Sequence, residues 1–280
     1  MSDNRKELEA ILWEGADVLR SKMDANEYKD YLLSFVFYKY LSDTFLAKVY
    51  DLLEDCEPDT IEQAQLAYEE AYKGEDAADL LSDLKDSIHY VIEPELTFFS
   101  LAKAAAENKF NREDLKKAFN NIENSDPIFN DLFTDVDLYS SRLGVGDTKQ
   151  SATVAELLKV IKQADVLHAE GDVLGNAYEY LIGQFASETG KKAGEFYTPA
   201  GPAEIVTRIS ISGQEDKQGL LVYDPCCGSG GMFIQSAELV KAKRGDISRI
   251  NVYGQEKEPA TYRLAKMNLA IRGIACNLGE

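Results

Sequence analysis

A short apolar run that breaks into a glycine-rich turn constrains this sequence most. Residues 220–223 are apolar, Asp224 ends the run, and Gly228, Gly230 and Gly231 follow within seven positions. A helical apolar pattern resumes directly after them. An open α/β sheet presents a nucleotide-like ligand at its carboxyl edge with this order of strand, glycine turn and helix. Glycines allow the backbone to approach such a ligand closely because they carry no Cβ.

The details of the turn argue against a nicotinamide cofactor. A dinucleotide fingerprint needs a third glycine for the pyrophosphate, and Phe233 occupies that position. A ligand without a pyrophosphate would tolerate the phenylalanine. S-adenosylmethionine is such a ligand, and its ammonium group would suit a carboxylate such as Asp224. The alternative is a plain strand–helix turn in which the glycines serve backbone geometry alone.

A second strand and helix are predicted downstream of the turn. Residues 250–256 have the character of a strand that ends in Glu256, and residues 260–271 have helical apolar spacing. An acid at this spacing accepts ribose hydroxyls in nucleotide-binding folds. The alternative for Glu256 is a solvated carboxylate at a strand end.

The segment 190–199 is polar and glycine-spaced, and then aromatic. It suits a loop that lies over a ligand, with Phe196 or Tyr197 stacked on an adenine ring. Thr198 is a candidate cap for the following helix, and Pro199 sits where a helix start tolerates proline. The alternative is a buried aromatic staple that joins two domains.

These two motifs resemble those of a known family. Asp-Pro-Cys-Cys-Gly-Ser-Gly-Gly at 224–231 and Gly-Glu-Phe-Tyr-Thr-Pro at 194–199 are similar to motifs of the methylation subunits of Type I restriction-modification systems, which are DNA adenine-N6 methyltransferases. The resemblance extends over the first half of the chain. It implies an all-helical N-terminal domain, residues 1–150, followed by the start of a Rossmann-like S-adenosylmethionine-dependent methyltransferase domain, residues 151–280.

The resemblance also implies which residues form the cofactor site. The cofactor, S-adenosylmethionine, would be held by Asp224, Gly228, Ser229, Gly230, Gly231 and Glu256. One wall of the site would be formed by Glu195, Phe196, Tyr197, Thr198 and Pro199. The family commonly has a basic residue where this chain has Ala200, so no contact is expected at that position.

The family's catalytic Asn-Pro-Pro-Tyr/Phe tetrapeptide does not occur in this sequence. In the family it holds a flipped adenine, and flipping is needed because the amino group is otherwise paired within the duplex. We therefore assign no catalytic residue and no metal ligand. The sequence is expected to stop before this motif and to be inactive by itself.

The resemblance implies double-stranded DNA as a partner, reached through a complex with a DNA-specificity subunit, a restriction subunit and a second copy of the methylation subunit. Residues 1–150 carry 33 acidic and 16 basic side chains, within a net charge of −19 for the chain. This half would repel DNA, so another segment or subunit would supply much of the DNA-binding affinity. The acidic surface is equally explained as a solvated one.

The remaining features bound the protein class. No run of about 18 apolar residues occurs, so no membrane span is expected. The first residues do not form a signal peptide, and the four cysteines are spaced neither as a disulfide framework nor as a metal cluster. These observations favour the reducing cytoplasm.

Helical spacing predicts helices over residues 5–20, 26–55, 60–72, 77–90 and 111–120, an irregular stretch over 125–150, and further helices from 151, over 173–186 and over 203–209. The run 31–40 is apolar nearly all round, which is typical of a helix in the middle of a bundle. An alternative is that the aromatic residues of 35–40 form a docking surface. The chain would then be a non-catalytic interaction module for a specificity or restriction subunit.

Overall fold

The computed structural model describes residues 2–165, 173–189, 196–214, 219–244 and 250–279. The chain forms two compact units, Met1–Val173 and Leu174–Glu280. The first is helical, and the second contains a parallel sheet. This confirms the predicted fold class.

The structure describes seven α-helices in the first unit. They are α1 (Ser2–Arg20), α2 (Ala25–Glu54), α3 (Ile61–Ala71), α4 (Ala77–Ile88), α5 (Phe98–Ala106), α6 (Arg112–Glu123) and α7 (Asp147–Lys162). Six of them confirm predicted helices. Helix α5 was not predicted, and its start is fixed by Thr97, whose Oγ1 accepts the N–H of Ser100 at 3.2 Å.

Helix α2 is the centre of this unit. It contacts α1, α3, α4, α5 and α7. A capping box formed by Asp24 and Glu27 fixes its first turn. Phe35, Phe37 and Tyr38 are at most 1% exposed. The bundle interpretation of α2 is therefore confirmed, and the aromatic docking surface expected as an alternative is wrong because these rings lie in the core.

The core around α2 is rich in aromatic rings. Phe119 of α6 stacks on Phe133 with ring centroids 4.2 Å apart, and Tyr38 meets Phe119 edge-on at 5.3 Å. The Tyr38 hydroxyl donates to the carbonyl of Leu96. Hydrogen-bonded hydroxyls of this kind allow tyrosines to be buried as deeply as phenylalanines.

A buried arginine organises the irregular segment between α6 and α7. Arg112 is 6% exposed. Its guanidinium donates to the Leu138 carbonyl at 2.9 Å, to Gln150 Oε1 at 2.6 Å and to Asp147 Oδ1 at 2.9 Å. It also lies 4.8 Å from the ring centre of Tyr139. One side chain thus connects α6, the irregular segment and the start of α7, so the segment is packed against both helices.

The second unit contains α8 (Val173–Thr189), α9 (Ala200–Ile211), β1 (Leu220–Asp224), α10 (Gly231–Arg244), β2 (Ile250–Gln255), α11 (Pro259–Ile271) and β3 (Cys276–Gly279). The three strands are parallel in the order β1-β2-β3. Strands β1 and β2 and the helices after them were predicted, whereas β3 was not.

One face of this sheet packs against helices and the other is open in the described residues. Leu220, Ile250 and Val252 join a buried cluster with Phe233 of α10 and Leu269 of α11. On the opposite face the alternate strand residues are exposed, and those with large apolar groups are Leu221, Tyr223 and Tyr253. The period of two along each strand separates these faces.

The two units divide later in the chain than the predicted boundary after residue 150. Helix α7, which was expected to open the second domain, packs on α1 and α5 of the first unit. The apolar side of α7 is therefore used by the helical unit. Among the helices that the structure describes, none is both long enough and apolar enough to cross a membrane.

Replacing Arg112 with methionine should destabilise the first unit by about 3 kcal/mol, because two buried carbonyl acceptors lose their donor. Lysine should recover only part of this, because an ammonium cannot reproduce the planar guanidinium contacts. Urea unfolding followed by the fluorescence of Trp13, the single tryptophan, measures the change.

The control for this experiment is Lys117→Met on the same helix, where the lysine is exposed and pairs with Asp114 three residues away. That variant should shift the free energy of unfolding by less than about 0.5 kcal/mol. Equal costs for the two methionine variants would contradict an organising role for Arg112.

Candidate functional site

The site lies at the carboxyl edge of the sheet. Strand β1 pairs with β2 so that Asp224 stands opposite Gly254. Both strands therefore end at the same edge, and the two chain segments that leave them meet there. The Cys227 N–H donates to the Gln255 carbonyl at 3.0 Å and joins the turn after β1 to the end of β2.

Asp224 is buried, with 7% of its surface exposed. Its Oδ1 accepts the N–H of Cys226 at 2.9 Å, which shapes the first step of the turn. Its Oδ2 has no hydrogen-bond partner among the described residues and is inaccessible to solvent in the chain alone. Buried carboxylate oxygens are normally hydrogen-bonded, so Asp224 offers a strong acceptor for a donor group of a ligand.

Glu256 is connected to the turn. Its Oε2 accepts the N–H of Gly228 at 3.0 Å, and its Oε1 accepts the N–H of Glu258 at 2.9 Å. Its own N–H donates to the Gly279 carbonyl at 3.1 Å. Glu256 is therefore more than a solvated strand-end carboxylate, because it orients the glycine turn from the neighbouring strand.

The first glycine of the turn is required by a close backbone approach. Gly228 has a φ of 55°, and a Cβ there would lie 3.1 Å from the carbonyl oxygen of Phe196. Gly230 also has positive φ, and Gly231 is the first residue of α10. The predicted site residues 228–231 thus form one continuous turn that leads into a helix N-terminus.

The two aromatic residues before α9, Phe196 and Tyr197, pack against other parts of the second unit. Phe196 is 8% exposed, and its carbonyl accepts the N–H of Ser229 at 2.9 Å. The Tyr197 ring lies against Gly183 of α8, where an added Cβ would be 3.1 Å from the phenol oxygen. Burial and the nearby Glu179 raise the pKa of Tyr197. Phe196 therefore supports the turn through its backbone carbonyl, whereas Tyr197 packs on α8 of the same unit.

The expectation that Thr198 caps the following helix is wrong. Helix α9 begins at Ala200, and Pro199 occupies the N-cap position, so Thr198 stands one residue too early. The carbonyl of Pro199 accepts the N–H of Ala203 at 3.1 Å. Glu195, also predicted in the site wall, lies outside the described residues.

Two polar residues were missed by the sequence analysis, Asn268 of α11 and Arg272, which directly follows α11. Asn268 is 1% exposed, and its Nδ2 donates to the carbonyl of Ser229 at 2.9 Å. Arg272, one turn later, forms an ion pair with Glu179 of α8 at 2.9 Å. Burial lowers the pKa of Arg272 to about 10, so it stays charged at neutral pH. The available signal was a polar position on the apolar side of the predicted helix, with an arginine four residues later, just past the end of the helix.

Cys227, the buried cysteine of the turn, has a structural character. Burial, with the charges of Asp224 and Glu256, raises the pKa of the Cys227 thiol to about 12. Its thiol is therefore neutral at physiological pH, whereas a nucleophile or metal ligand must be a thiolate. Within the described ranges no group of three or more histidine, cysteine or acidic side chains could hold a metal ion.

Gly228→Ala should destabilise the second unit by about 1 kcal/mol more than Gly273→Ala, because only the first adds a crowded contact. Both glycines have positive φ, 55° and 64°, but a Cβ at Gly273 meets nothing within 4 Å. The shared conformational cost therefore cancels between the variants. Native-state amide exchange in β1 and β2 measures both. Equal costs would show that the approach of Phe196 does not require glycine.

Two protein-family models match this chain. The model described as HsdM N-terminal domain matches residues 8–161, which is more than half of the chain. The model described as N-6 DNA Methylase matches residues 169–279. The two matches follow one another in the order of the helical unit and the sheet unit.

Named relatives agree with these matches. The chain is 32% identical to the Type I restriction enzyme MpnII methylase subunit of Mycoplasma pneumoniae over 98% of this chain and 51% of the relative. It is 28% identical to the MjaIX methylase subunit of Methanocaldococcus jannaschii over 95% of this chain and 46% of that protein. It therefore spans about half the length of these curated relatives.

A solved structure gives the same result. The type I restriction-modification system methyltransferase subunit from Streptococcus thermophilus superposes with a TM-score of 0.91 at 43% identity, over 98% of this chain and 59% of that one. The resemblance inferred from the two motifs is confirmed. This chain belongs to the methylase subunits of type I restriction-modification systems, as both family matches show, and its helical unit and the glycine turn at its sheet edge agree with this.

Proposed function

We propose that the site at the carboxyl edge of β1 and β2 binds S-adenosylmethionine. The observation that carries this proposal is the unpartnered Oδ2 of Asp224, buried beside a turn of three glycines. The ammonium of the methionine part would supply the donor that this oxygen lacks. When bound, the cofactor supplies a methyl group activated on a sulfonium.

The other site residues fit the same ligand. Each oxygen of Glu256 accepts one N–H and retains a further lone pair, so the carboxylate can still accept ribose hydroxyls. The backbone of Gly228, Ser229 and Gly230 can approach the ligand without a clash from side chains of the first and third. The α10 N-terminus, at Gly231, would add free N–H groups. The segment from Phe196 to Pro199, with Glu195, would form one wall.

The whole protein, by this proposal, methylates adenine N6 in DNA. These 280 residues include seven prolines, no two of which are adjacent, so they contain no Asn-Pro-Pro-aromatic motif for a flipped adenine. We infer that this chain alone transfers no methyl group. Incubation of the purified chain with labelled cofactor and duplex DNA tests this, and turnover would contradict it.

The proposed partners are double-stranded DNA, a DNA-specificity subunit, a restriction subunit and a second methylation subunit. The excess of acidic groups in residues 1–150 opposes DNA binding by this part alone, which supports a complex that supplies basic surface. A role as an interaction module without cofactor rested on the aromatic residues of 35–40. Since those rings are buried, except for half-buried Tyr40, cofactor binding is the better-supported function.

Asp224→Asn should weaken S-adenosylmethionine binding about ten-fold or more, because a charge-assisted hydrogen bond contributes about 1.5–3 kcal/mol. The amide oxygen can still accept the N–H of Cys226, so the turn should keep its shape. Calorimetric titration of the purified chain measures the affinity, with thermal unfolding as a check on folding.

Glu258→Gln is the matched control, since Glu258 is exposed at the same edge and its backbone N–H, which the substitution keeps, is what donates to Glu256. Its affinity should equal that of the wild type. A wild-type chain that is folded and binds no S-adenosylmethionine would contradict the proposed function of this site. Equal affinity in the Asp224→Asn variant would contradict the role of Asp224.

A further inference from the structure

The two peptide groups beside Ser229 are each held by a different part of the second unit. The N–H of Ser229 donates to the carbonyl of Phe196, and the carbonyl of Ser229 accepts from Asn268 Nδ2, both at 2.9 Å. Ser229 itself is 4% exposed. It stands between Gly228 and Gly230, both with positive φ.

This position in the turn is the one most in need of support. Glycines on both sides rotate with little steric cost, so the peptide between residues 229 and 230 can turn easily unless its polar groups are bound. The Gly230 N–H of that peptide donates to the Cys227 carbonyl at 2.9 Å. Asn268 supplies the other contact, to its carbonyl, from a helix distant in sequence.

Asn268 is held rigidly on α11. It is 1% exposed, and Oδ1 of its amide has no partner among the residues described. The side chain of the neighbouring Leu269 packs against Gly230, where an added Cβ would lie 3.4 Å from the Cγ of Leu269. One turn later Arg272 pairs with Glu179 of α8. The Asn268 amide thus projects from a packed helix, and it donates its hydrogen bond to the glycine turn.

We propose that Asn268 is a positioning residue of the S-adenosylmethionine site, which fixes the Ser229 carbonyl so that the glycine turn keeps its ligand-binding shape. This inference rests on the proposed function for the identity of the ligand. It adds to the site a residue of α11 that need not touch the cofactor. Holding the turn before binding lowers the ordering cost that the ligand would otherwise meet.

The proposal requires a donor at this position, not only a side chain of suitable size. Aspartate has nearly the shape of asparagine, but its second oxygen would face the Ser229 carbonyl as another acceptor. It would also add a negative charge beside the glycine turn. Asn268→Asp therefore tests the hydrogen bond at constant volume, whereas Asn268→Gln retains the donor on a longer side chain.

The experiment measures two quantities in the purified chain. Calorimetry gives the S-adenosylmethionine affinity, and hydrogen exchange without ligand gives the protection of the Ser229 and Gly230 amides. Asn268→Asp should weaken binding at least ten-fold and accelerate exchange of both amides at least ten-fold, with β2 unchanged. Asn268→Gln should recover part of both effects.

Two control variants separate positioning from general stability. Asn251→Asp makes the same chemical change at an exposed position of β2 and should alter neither quantity. Leu264→Ala removes buried surface from α11 and should lower the thermal midpoint while the affinity stays within two-fold of wild type. An equal loss of affinity in Leu264→Ala would overturn the proposal.

Unchanged exchange of the Ser229 and Gly230 amides in Asn268→Asp would also overturn it. If the folded wild-type chain binds no S-adenosylmethionine, the proposed ligand is wrong. The exchange measurement still decides whether Asn268 holds the turn, so the two failures remain distinct. Faster exchange confined to the turn would support the positioning role in that case.

Discussion

The pairing of β1 with β2 is the interaction on which the candidate site depends. It sets Asp224 opposite Gly254, so the turn after β1 lies beside the end of β2. The hydrogen bond from Gly228 to Glu256 then joins the two segments that follow these neighbouring strands. A Cβ at Gly254 would lie 2.8 Å from Leu278 and 2.9 Å from Phe233. The strand can therefore approach α10 and β3 this closely only because glycine occupies that position, and the position of the turn follows from this packing.

Patterns that are local in sequence predicted most of the fold. The apolar run of α2, the strands β1 and β2 and the glycine turn each carry a periodicity or composition that needs no distant partner. Strand β3 has four residues without apolar alternation, and only its pairing with β2 makes it a strand. Helix α5 is short and depends on the Thr97 cap and on packing against α7. The predicted boundary after residue 150 lies too early, because the apolar side of α7 packs on other helices of the helical unit.

The same distinction explains which site residues the sequence predicted. Asp224, the glycines and Glu256 belong to short motifs, and the fold brings them to one edge. Asn268 acts on Ser229 across 39 positions, and no motif announces that contact. Tyr197 is a related case, because an aromatic residue beside a ligand site suggests stacking, while its contact with Gly183 becomes known only from the packing of α8.

The two carboxylates of the site differ in how many of their oxygens receive a hydrogen bond from the protein. Glu256 accepts two backbone N–H groups and orients the turn, whereas Asp224 keeps one buried oxygen without a donor among the described residues. Such an oxygen costs about 1–3 kcal/mol of stability. Asp43, in the helical core, also has one, but Asp43 pairs with Lys39 one turn away on the same helix. An unpartnered oxygen alone therefore assigns no ligand. At Asp224 it coincides with a strand end, a glycine turn and a helix N-terminus, and a ligand that brings a cationic donor would offset the cost there.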